Sequence, residues 1–405
     1  MVTLEDMIEA YFDCRRHKRN TVSAIEYETD YEFRLLDLCR RINDRSYYPG
    51  KAICFVVTRP RYREVFAAQF EDRIIHHYLG LRLMPLFEMV MGERSFSCRP
   101  GKGQLYGTKM LENDMKECSN GYKEDCYVMK LDIKAFFMSI DKQILLHKIL
   151  AFVEQYYHGE DKEDVKFLCR IVIMHDPEKN CEKHSPEEYW SHLPKEKSLF
   201  TNGEGKGLAI GNLFSQMFAN YLLSELDNLC DKLGIKYHGR YVDDIYLMHK
   251  DKAVLLAAVP KIRTLLATLG LRLNEKKFYL QHYKKGVSFT GAIIKPGRSY
   301  VINRTIENFR KAVIRLDYAT TEEAVIHAIC SINSYLGLLR QRREYNNRKK
   351  ILCMINKDVF KEYVYIKGRY EILRLKKRHT ERYKTMQKIK NEDREPCVRI
   401  DRIAA

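Results

Sequence analysis

The chain has 405 residues, 45% hydrophobic and 11% aromatic, with a formal net charge of +17. This composition supplies a sizeable buried core and excludes a chain that is disordered throughout. No apolar run approaches the ~18 residues of a membrane span and the N-terminus is acidic, so we expect neither membrane insertion nor secretion.

The first half of the chain alternates predicted helices with short strands. Residues 1–50 have helical periodicity, with an apolar face that comprises Ile25, Phe33, Leu36, Leu38 and Ile42. Further along, the patterns predict a strand at 53–57, a helix at 69–84, a loop at 95–103 that leads into another helix, and a strand at 127–133. Asp141 is predicted to cap a helix that reaches about Val153. Residues 154–207 read as a helix followed by a long loop.

The second half contains an acidic hairpin. After a predicted helix at 213–229, strands at 235–241 and 245–249 flank Val242-Asp243-Asp244. A helix at 252–269 and strands at 286–294 follow, and the chain after Asn303 is predicted to be almost entirely helical. Together these patterns predict an α+β core with a helical appendage.

Most of the excess positive charge lies near the C-terminus. Residues 340–394 contain 19 Lys and Arg against 7 Asp and Glu, interleaved with aromatic residues. Such a segment suits a nucleic acid, because cations neutralise phosphates and rings stack on bases. A solvated basic helix pair and a surface for an acidic protein are the alternatives. The twelve cysteines form no Cys-x-x-Cys pair, which favours reduced thiols and a cytoplasmic protein.

Three carboxylates indicate where chemistry could occur. Asp132 ends a predicted strand, and Asp243 and Asp244 form the hairpin tip. Carboxylates repel each other by about 4 kcal/mol at ~4 Å in an effective dielectric near 20, so a fold that gathers them normally supplies a cation. Oxygen ligands favour Mg²⁺, and two such ions would support phosphoryl transfer.

These residues also carry a family resemblance. Tyr241-Val242-Asp243-Asp244 resembles the Tyr-x-Asp-Asp box of reverse transcriptases, and residues 130–141 resemble their first carboxylate motif. Five further segments are similar to other motifs of that family in the same order: 72–75, 96–103, 207–221, 269–277 and 287–291. The resemblance covers roughly residues 50–350, and it implies a right-hand polymerase fold and an RNA-directed DNA polymerase.

One motif suggests a subclass. Most group II intron and retron enzymes carry Gln-Gly and Ser-Pro where this chain has Ile210-Gly211 and Ser215-Gln216. That substitution resembles the reverse transcriptases of diversity-generating retroelements. Those enzymes copy a template-repeat RNA into cDNA with errors at template adenines, assisted by a small basic accessory protein. Some phage-defence reverse transcriptases share parts of these motifs.

The resemblance implies roles for individual residues. Asp132 and Asp243 would bind two Mg²⁺ ions with the Ile133 carbonyl, Asp244 would support them, and Lys277 is a possible proton donor to pyrophosphate. Residues implied to contact the incoming dNTP are Arg59, Arg61, Arg63, Phe137, Ile210, Gly211 and Gln216. Residues implied to contact template RNA or cDNA product are Arg99, Lys102, Tyr241, Tyr335, Arg340, Arg342 and Arg343.

The domain organisation is predicted from the same resemblance. It places an N-terminal helical extension at 1–50, fingers at 51–125, a palm at 126–296 with an insertion at about 154–206, a helical thumb at 297–375 and a basic tail at 376–405. Two other functions remain open. One is a phage-defence or template-independent reverse transcriptase, and the other is a non-catalytic RNA-binding scaffold, against which the three intact carboxylates argue.

Overall fold

The computed structural model describes residues 1–16, 21–59, 61–377 and 379. They form two compact units, one comprising Met1–Gly103 with Met129–Leu280 and the other Gln104–Val128 with the described part of residues 281–397. The five predicted domains have different boundaries and stay a prediction. Of the predicted tail, only residues 376, 377 and 379 belong to the described part.

Helices and sheets of mainly antiparallel strands make up both units, so the predicted α+β class is confirmed. The helices are α1 Leu4–Arg15, α2 Val22–Glu28, α3 Tyr31–Asn43, α4 Phe70–Val90, α5 Gln104–Cys118, α6 Phe136–Ser139, α7 Lys142–Tyr156, α8 Lys162–Met174, α9 Glu187–Ser191, α10 Leu213–Leu222, α11 Ser224–Lys232, α12 Lys252–Thr268, α13 Asn303–Asp317, α14 Glu322–Leu339, α15 Tyr345–Leu352 and α16 Lys357–Glu362. The strands are β1 Ala52–Val57, β2 Arg63–Ala67, β3 Tyr127–Asp132, β4 Cys181–Lys183, β5 Tyr237–Tyr241, β6 Asp244–His249, β7 Tyr279–His282, β8 Val287–Phe289, β9 Ala292–Lys295, β10 Arg298–Val301, β11 Val364–Lys367 and β12 Ile372–Leu375. None of the described helices combines the length and apolar character needed to cross a membrane.

Two sheets organise the first unit. The larger has the strand order β5-β6-β3-β7, and the hairpin β5–β6 is antiparallel with Tyr241 opposite Asp244. In the smaller sheet, β1 pairs antiparallel with β2 and parallel with β4. Because β4 belongs to the predicted insertion, that segment is part of the fold of this unit rather than a loose loop.

The second unit is built around a helical core. Buried residues of α13 and α14, such as Phe309 and Ile332, pack in one cluster with Ile351, Val364 and Leu373. Two of these come from the hairpin β11–β12, so the prediction of an almost entirely helical C-terminal segment is wrong there. Alternation of apolar residues supports the hairpin strands, and Gly368, with a φ of +70°, allows the turn between them.

The predicted apolar face of the N-terminal helices is partly wrong. Leu38 and Ile42 are fully buried, but Ile25, Phe33 and Leu36 are 53%, 79% and 57% exposed. Helix α3 instead buries the stripe that contains Leu35, Leu38, Cys39 and Ile42, because these positions follow the helical repeat and share one face.

The predicted helix at 213–229 is interrupted at Leu223, where α10 ends and α11 begins. The hydroxyl of Ser224 donates to the carbonyl of Tyr221 at 2.7 Å and thereby competes with the regular helical bond. Sequence patterns also missed the short strands β2, β4, β7 and β10, which have only three to five residues each.

Candidate active site

The three candidate carboxylates lie at the ends of neighbouring strands. Asp132 is the last residue of β3, and Asp244 is the first residue of β6, which lies next to β3. Val242 and Asp243 form the two-residue turn of the β5–β6 hairpin. Val242 has a φ of +57°, a conformation that is costly for a β-branched residue and that clusters at functional sites.

Asp132 is held by a segment more than 130 residues further along the chain. Its carboxylate accepts hydrogen bonds from Nδ2 of Asn274 at 2.9 Å and from Nζ of Lys277 at 2.6 Å. Two main-chain bonds join the same segments: Lys134 N donates to the Arg272 carbonyl, and Asn274 N donates to the Asp132 carbonyl. The carbonyl of Ile133 takes no part in this pair of bonds and faces the opposite edge, as antiparallel geometry requires.

Asp244 is paired differently from Asp132. Its Oδ1 forms a short ion pair with Nζ of Lys130, whose side chain is only 6% exposed. Burial lowers the pKa of Lys130, while the nearby Asp244 opposes that shift. In the sequence, Lys130 is a charged residue within the mainly apolar strand β3. In the structure, this lysine offsets the negative charge of Asp244.

The carboxyl of Asp243 has a perturbed pKa. Burial, followed by the negative charge of Asp132, raises the pKa of Asp243 to about 6. Both effects oppose ionisation, so a cation between the two carboxylates would favour the ionised form. The hairpin therefore gathers negative charge that the protein itself only partly offsets.

The donors present suit Mg²⁺ by their chemistry. Carboxylates and a main-chain carbonyl are the hard oxygen ligands that this ion prefers. Among the described residues, no group of three or more His, Cys, Asp or Glu side chains is placed to hold a metal ion. Asp132, Asp243 and Asp244 remain the predicted carboxylate ligands, and two of them are paired with lysines: Asp132 with Lys277 and Asp244 with Lys130.

A second part of the site lies where β2 meets the segment before α10. The Phe66 N–H donates to the carbonyl of Ile210 at 2.8 Å. Gly211 follows with a φ of +121°, and an added Cβ there would lie 2.6 Å from the Phe66 carbonyl oxygen. Only glycine therefore allows this close approach of the two backbones.

The side chains of Phe137 and Ile210 share one apolar cluster. Both are partly buried against a core that comprises Cys54, Phe66, Met138, Leu199 and Ala209. Leu199 belongs to the predicted insertion, and its N–H, like the Ser198 hydroxyl, donates to the buried carboxylate of Glu64. The insertion therefore supports the wall of the predicted nucleotide pocket, which sequence patterns did not reveal.

Arg59, Arg61 and Arg63 are all exposed around the β1–β2 connection. Exposed guanidinium groups can reach a bound anion. Because all three are exposed, exposure does not show which of them would bind the triphosphate. The predicted role of these arginines stays a prediction.

Arg99, which was predicted to contact nucleic acid, is buried in this structure, and its predicted role stays a prediction. Its side chain is 1% exposed, pairs with Glu88 and donates to main-chain carbonyls, including that of Met91. Lys102 is also largely buried, and its Nζ lies 3.1 Å from Glu93. Both side chains are paired with glutamates of the chain, and their predicted contact with nucleic acid stays a prediction.

The other predicted nucleic-acid contacts differ in exposure. Tyr241 is half-buried at the hairpin, and Tyr335 packs against the core of the second unit. Arg340 and Arg343 are exposed, whereas burial lowers the pKa of Arg342, which donates to Thr108. Arg340 and Arg343 are therefore the best placed of these residues to meet a phosphate backbone.

Comparisons with known proteins give the following matches. The family model described as "Reverse transcriptase (RNA-dependent DNA polymerase)" matches residues 59–294. "Nuclear intron maturase 1, mitochondrial" of Arabidopsis thaliana is 22% identical over 210 residues, which is 43% of this chain and 27% of that protein.

Solved structures similar to this chain include two fungal telomerases. Apo telomerase from Candida tropicalis, truncated from its C-terminal domain, is 14% identical, with 65% of this chain and 59% of that chain covered and a TM-score of 0.46. Telomerase from Candida albicans, in complex with a TWJ fragment of telomeric RNA, is 11% identical, with 80% and 61% covered and a TM-score of 0.44. The chain spans about a quarter of the maturase and about three fifths of these telomerase chains.

Proposed function

This chain belongs to the reverse transcriptase (RNA-dependent DNA polymerase) family, and we propose that it copies an RNA template into cDNA by nucleotidyl transfer. The observation that carries the proposal is the Asp132–Asp243 pair at adjoining strand ends. Burial and mutual repulsion raise the pKa of Asp243, as expected at a site built to bind cations. A non-catalytic scaffold would have no need to gather these charges.

In the proposed reaction, Asp132, Asp243 and the Ile133 carbonyl would hold two Mg²⁺ ions. When bound, such ions activate the attacking hydroxyl and stabilise the leaving pyrophosphate. Asp244, which is paired with Lys130, would have a supporting role. Lys277, now paired with Asp132, is a cation within reach of the site and can donate a proton to the leaving group.

A nucleotide pocket beside these carboxylates belongs to the same proposal. Arg59, Arg61 and Arg63 would bind the triphosphate, since guanidinium groups can form bidentate bonds with phosphate. Phe137 would exclude a ribose 2′-hydroxyl, and the apolar cluster behind it resists displacement. Gly211 allows its main chain to lie close to that of Phe66. Ile210 and Gln216 would line the base of the incoming nucleotide.

We propose that the enzyme is error-prone at template adenines, as in a diversity-generating retroelement. Ile210 supports this proposal, because an apolar side chain packed in a cluster discriminates by shape and offers no hydrogen bond. A small basic accessory protein and a cytoplasmic location belong to the same proposal. So does a division into fingers, palm and thumb, in which the exposed Arg340 and Arg343 would contact the duplex.

Primer extension on a defined RNA template tests the reaction. Wild-type protein should extend a DNA primer with dNTPs and Mg²⁺, and Asp243→Asn should abolish extension while leaving RNA affinity nearly unchanged. Asp231→Asn, at an exposed position of α11, is the matched control. Extension by Asp243→Asn above about a hundredth of the wild-type rate would contradict the proposed metal role.

Sequencing the product separates the remaining alternatives. Products that match the template with errors at adenines support the diversity-generating assignment. Products without any relation to the template indicate template-independent synthesis. RNA binding without any extension by the wild-type protein would leave the scaffold as the function.

A further inference from the structure

Residues 94–99 form a loop that is fastened to the catalytic hairpin. The Phe96 N–H donates to the Arg240 carbonyl at 2.9 Å, and the Arg240 N–H donates to the Arg94 carbonyl at 2.8 Å. Arg240 is fully buried and directly precedes Tyr241 in β5. The loop is therefore held against the strand that carries the acidic turn.

The same loop is also fastened to helix α10. Asn220 of that helix accepts from the Ser95 hydroxyl at 2.8 Å and donates from Nδ2 to the Ser97 carbonyl at 3.0 Å. Asn220 also accepts from the buried guanidinium of Arg240, which is paired with Asp227. Main-chain and side-chain bonds thus hold the loop between β5 and α10.

Cys98 occupies a strained position in this loop. Its φ is +53°, in the left-handed region that residues other than glycine rarely adopt. The bonds to Asn220 and the buried side chain of Arg99 hold the backbone on either side of Cys98. Such strain persists only where the surroundings impose it, so the direction of the thiol is set by the fold.

The thiol of Cys98 donates a hydrogen bond to Oε1 of Gln216 at 2.7 Å. Gln216 lies on α10, one turn before Asn220, and its side chain is half-buried. An amide presents an acceptor on one branch and a donor on the other, and rotation of the amide exchanges them. A bond from Cys98 to the acceptor branch leaves the Nε2 donor on the other branch.

We propose that Cys98 is a positioning residue that fixes the orientation of the Gln216 amide and thereby the selectivity of the nucleotide pocket. The inference rests on the proposed function, in which Gln216 contacts the incoming nucleotide or its template base. A fixed amide offers one hydrogen-bonding pattern to a base edge, whereas a rotating amide offers two. Without the thiol, a larger set of base pairs would therefore be accepted.

The experiment measures correct and incorrect incorporation by the full-length protein on a defined RNA template. The efficiency kcat/KM is determined for each dNTP opposite each template base, with Cys98→Ala as the test variant. We expect the ratio of correct to incorrect efficiency to fall about fivefold, the scale of one neutral hydrogen bond, with kcat for the correct nucleotide nearly unchanged. Cys98→Ser keeps a donor and should restore the ratio. Cys353→Ala, which removes an exposed thiol, is the control.

A double-mutant cycle shows whether Cys98 acts through Gln216. In a Gln216→Met background the acceptor is gone, so Cys98→Ala should cause no further change in the ratio. An unchanged ratio in Cys98→Ala, or an equal effect in the Gln216→Met background, would overturn the inference while the polymerase activity itself stands. An equal fall in the ratio of correct to incorrect efficiency in Cys98→Ala and Cys98→Ser would likewise overturn the inference. The strained backbone, and not the hydrogen-bond donor, would then account for the selectivity. A wild-type protein without extension activity would instead refute the proposed function.

Discussion

Nζ of Lys277 lies 2.6 Å from Oδ1 of Asp132, although 145 residues separate the two in the chain. The contact joins the segment after α12 to the end of β3, beside the main-chain bonds that fasten residues 132–134 to residues 272–274. In the proposed function Asp132 holds a metal ion, and this lysine would then lie close enough to the site to meet the leaving pyrophosphate. The adjacent Lys276 is exposed and offers a direct comparison.

We expect Lys277→Met to lower the extension rate by roughly 10²-fold, the smaller end of the contribution of a positioned general acid. The fall in the wild-type rate at high pH should become smaller in this variant, because that fall reports deprotonation of Lys277 as the general acid. Lys276→Met should change either quantity little. Equal losses in the two variants would show that positive charge, rather than proton donation by Lys277, supports the reaction.

The second prediction concerns stability and pH. Asp72 in α4 accepts from the Tyr47 hydroxyl at 2.8 Å and from the Gly50 N–H at 3.1 Å, and burial raises its pKa from 3.8 to about 6. Because the folded pKa lies above the unfolded one, the contribution of this group to stability is fully present below about pH 4. It is lost as the pH rises through about 6.

Asp72→Asn removes this titration. The free energy of unfolding of the wild type, measured with urea, should therefore fall relative to the variant by on the order of 2–3 kcal/mol between pH 4 and pH 7. Asp243 also has a raised pKa but is present in both proteins, so the difference isolates Asp72. A constant difference across this range would show that Asp72 has the same pKa in the folded and unfolded chain.

The third prediction concerns the basic surface of the second unit. Truncation after residue 339 is a poor test, because Ile351, Val364 and Leu373 belong to the buried core of that unit. Single substitutions at exposed positions are preferable. Arg340→Gln and Arg343→Gln should each weaken RNA binding and reduce the slope of log affinity against log salt by roughly 0.7–0.9.

Lys232→Gln, at an exposed position of the first unit, is the matched control and should leave the slope unchanged. Unchanged slopes in both arginine variants would point to an acidic protein as the partner of this surface.

The fourth prediction concerns fidelity. Ile210 offers no hydrogen bond to a base, so Ile210→Gln should lower misincorporation opposite template adenine more than opposite the other three bases. Shape alone supplies about 1–3 kcal/mol of discrimination, whereas a required hydrogen bond can supply more. Sequencing cDNA from a defined RNA template gives the error at each base, and the three other bases serve as internal controls. If the adenine error stays the same with activity retained, Ile210 is a packing residue only.

Local sequence patterns were sufficient for the acidic hairpin, the Asp141 cap and most long helices. Asp141, for example, accepts from the N–H groups of Gln143 and Ile144, which lie two and three residues further along the chain. The turn at Val242-Asp243 likewise follows from two short strands around a pair of residues. Such features depend on hydrogen bonds and periodicities among residues close in the chain, which a sequence displays directly.

Tertiary structure decided what each charged or polar side chain meets. Arg99 was predicted to contact nucleic acid, and the fold places it against Glu88, 11 residues away, and buries it. The contacts Cys98–Gln216 and Lys277–Asp132 join residues 118 and 145 positions apart. Partners this distant are set by how whole helices and strands pack, and no local pattern encodes which polar atoms that packing will bring within hydrogen-bond distance.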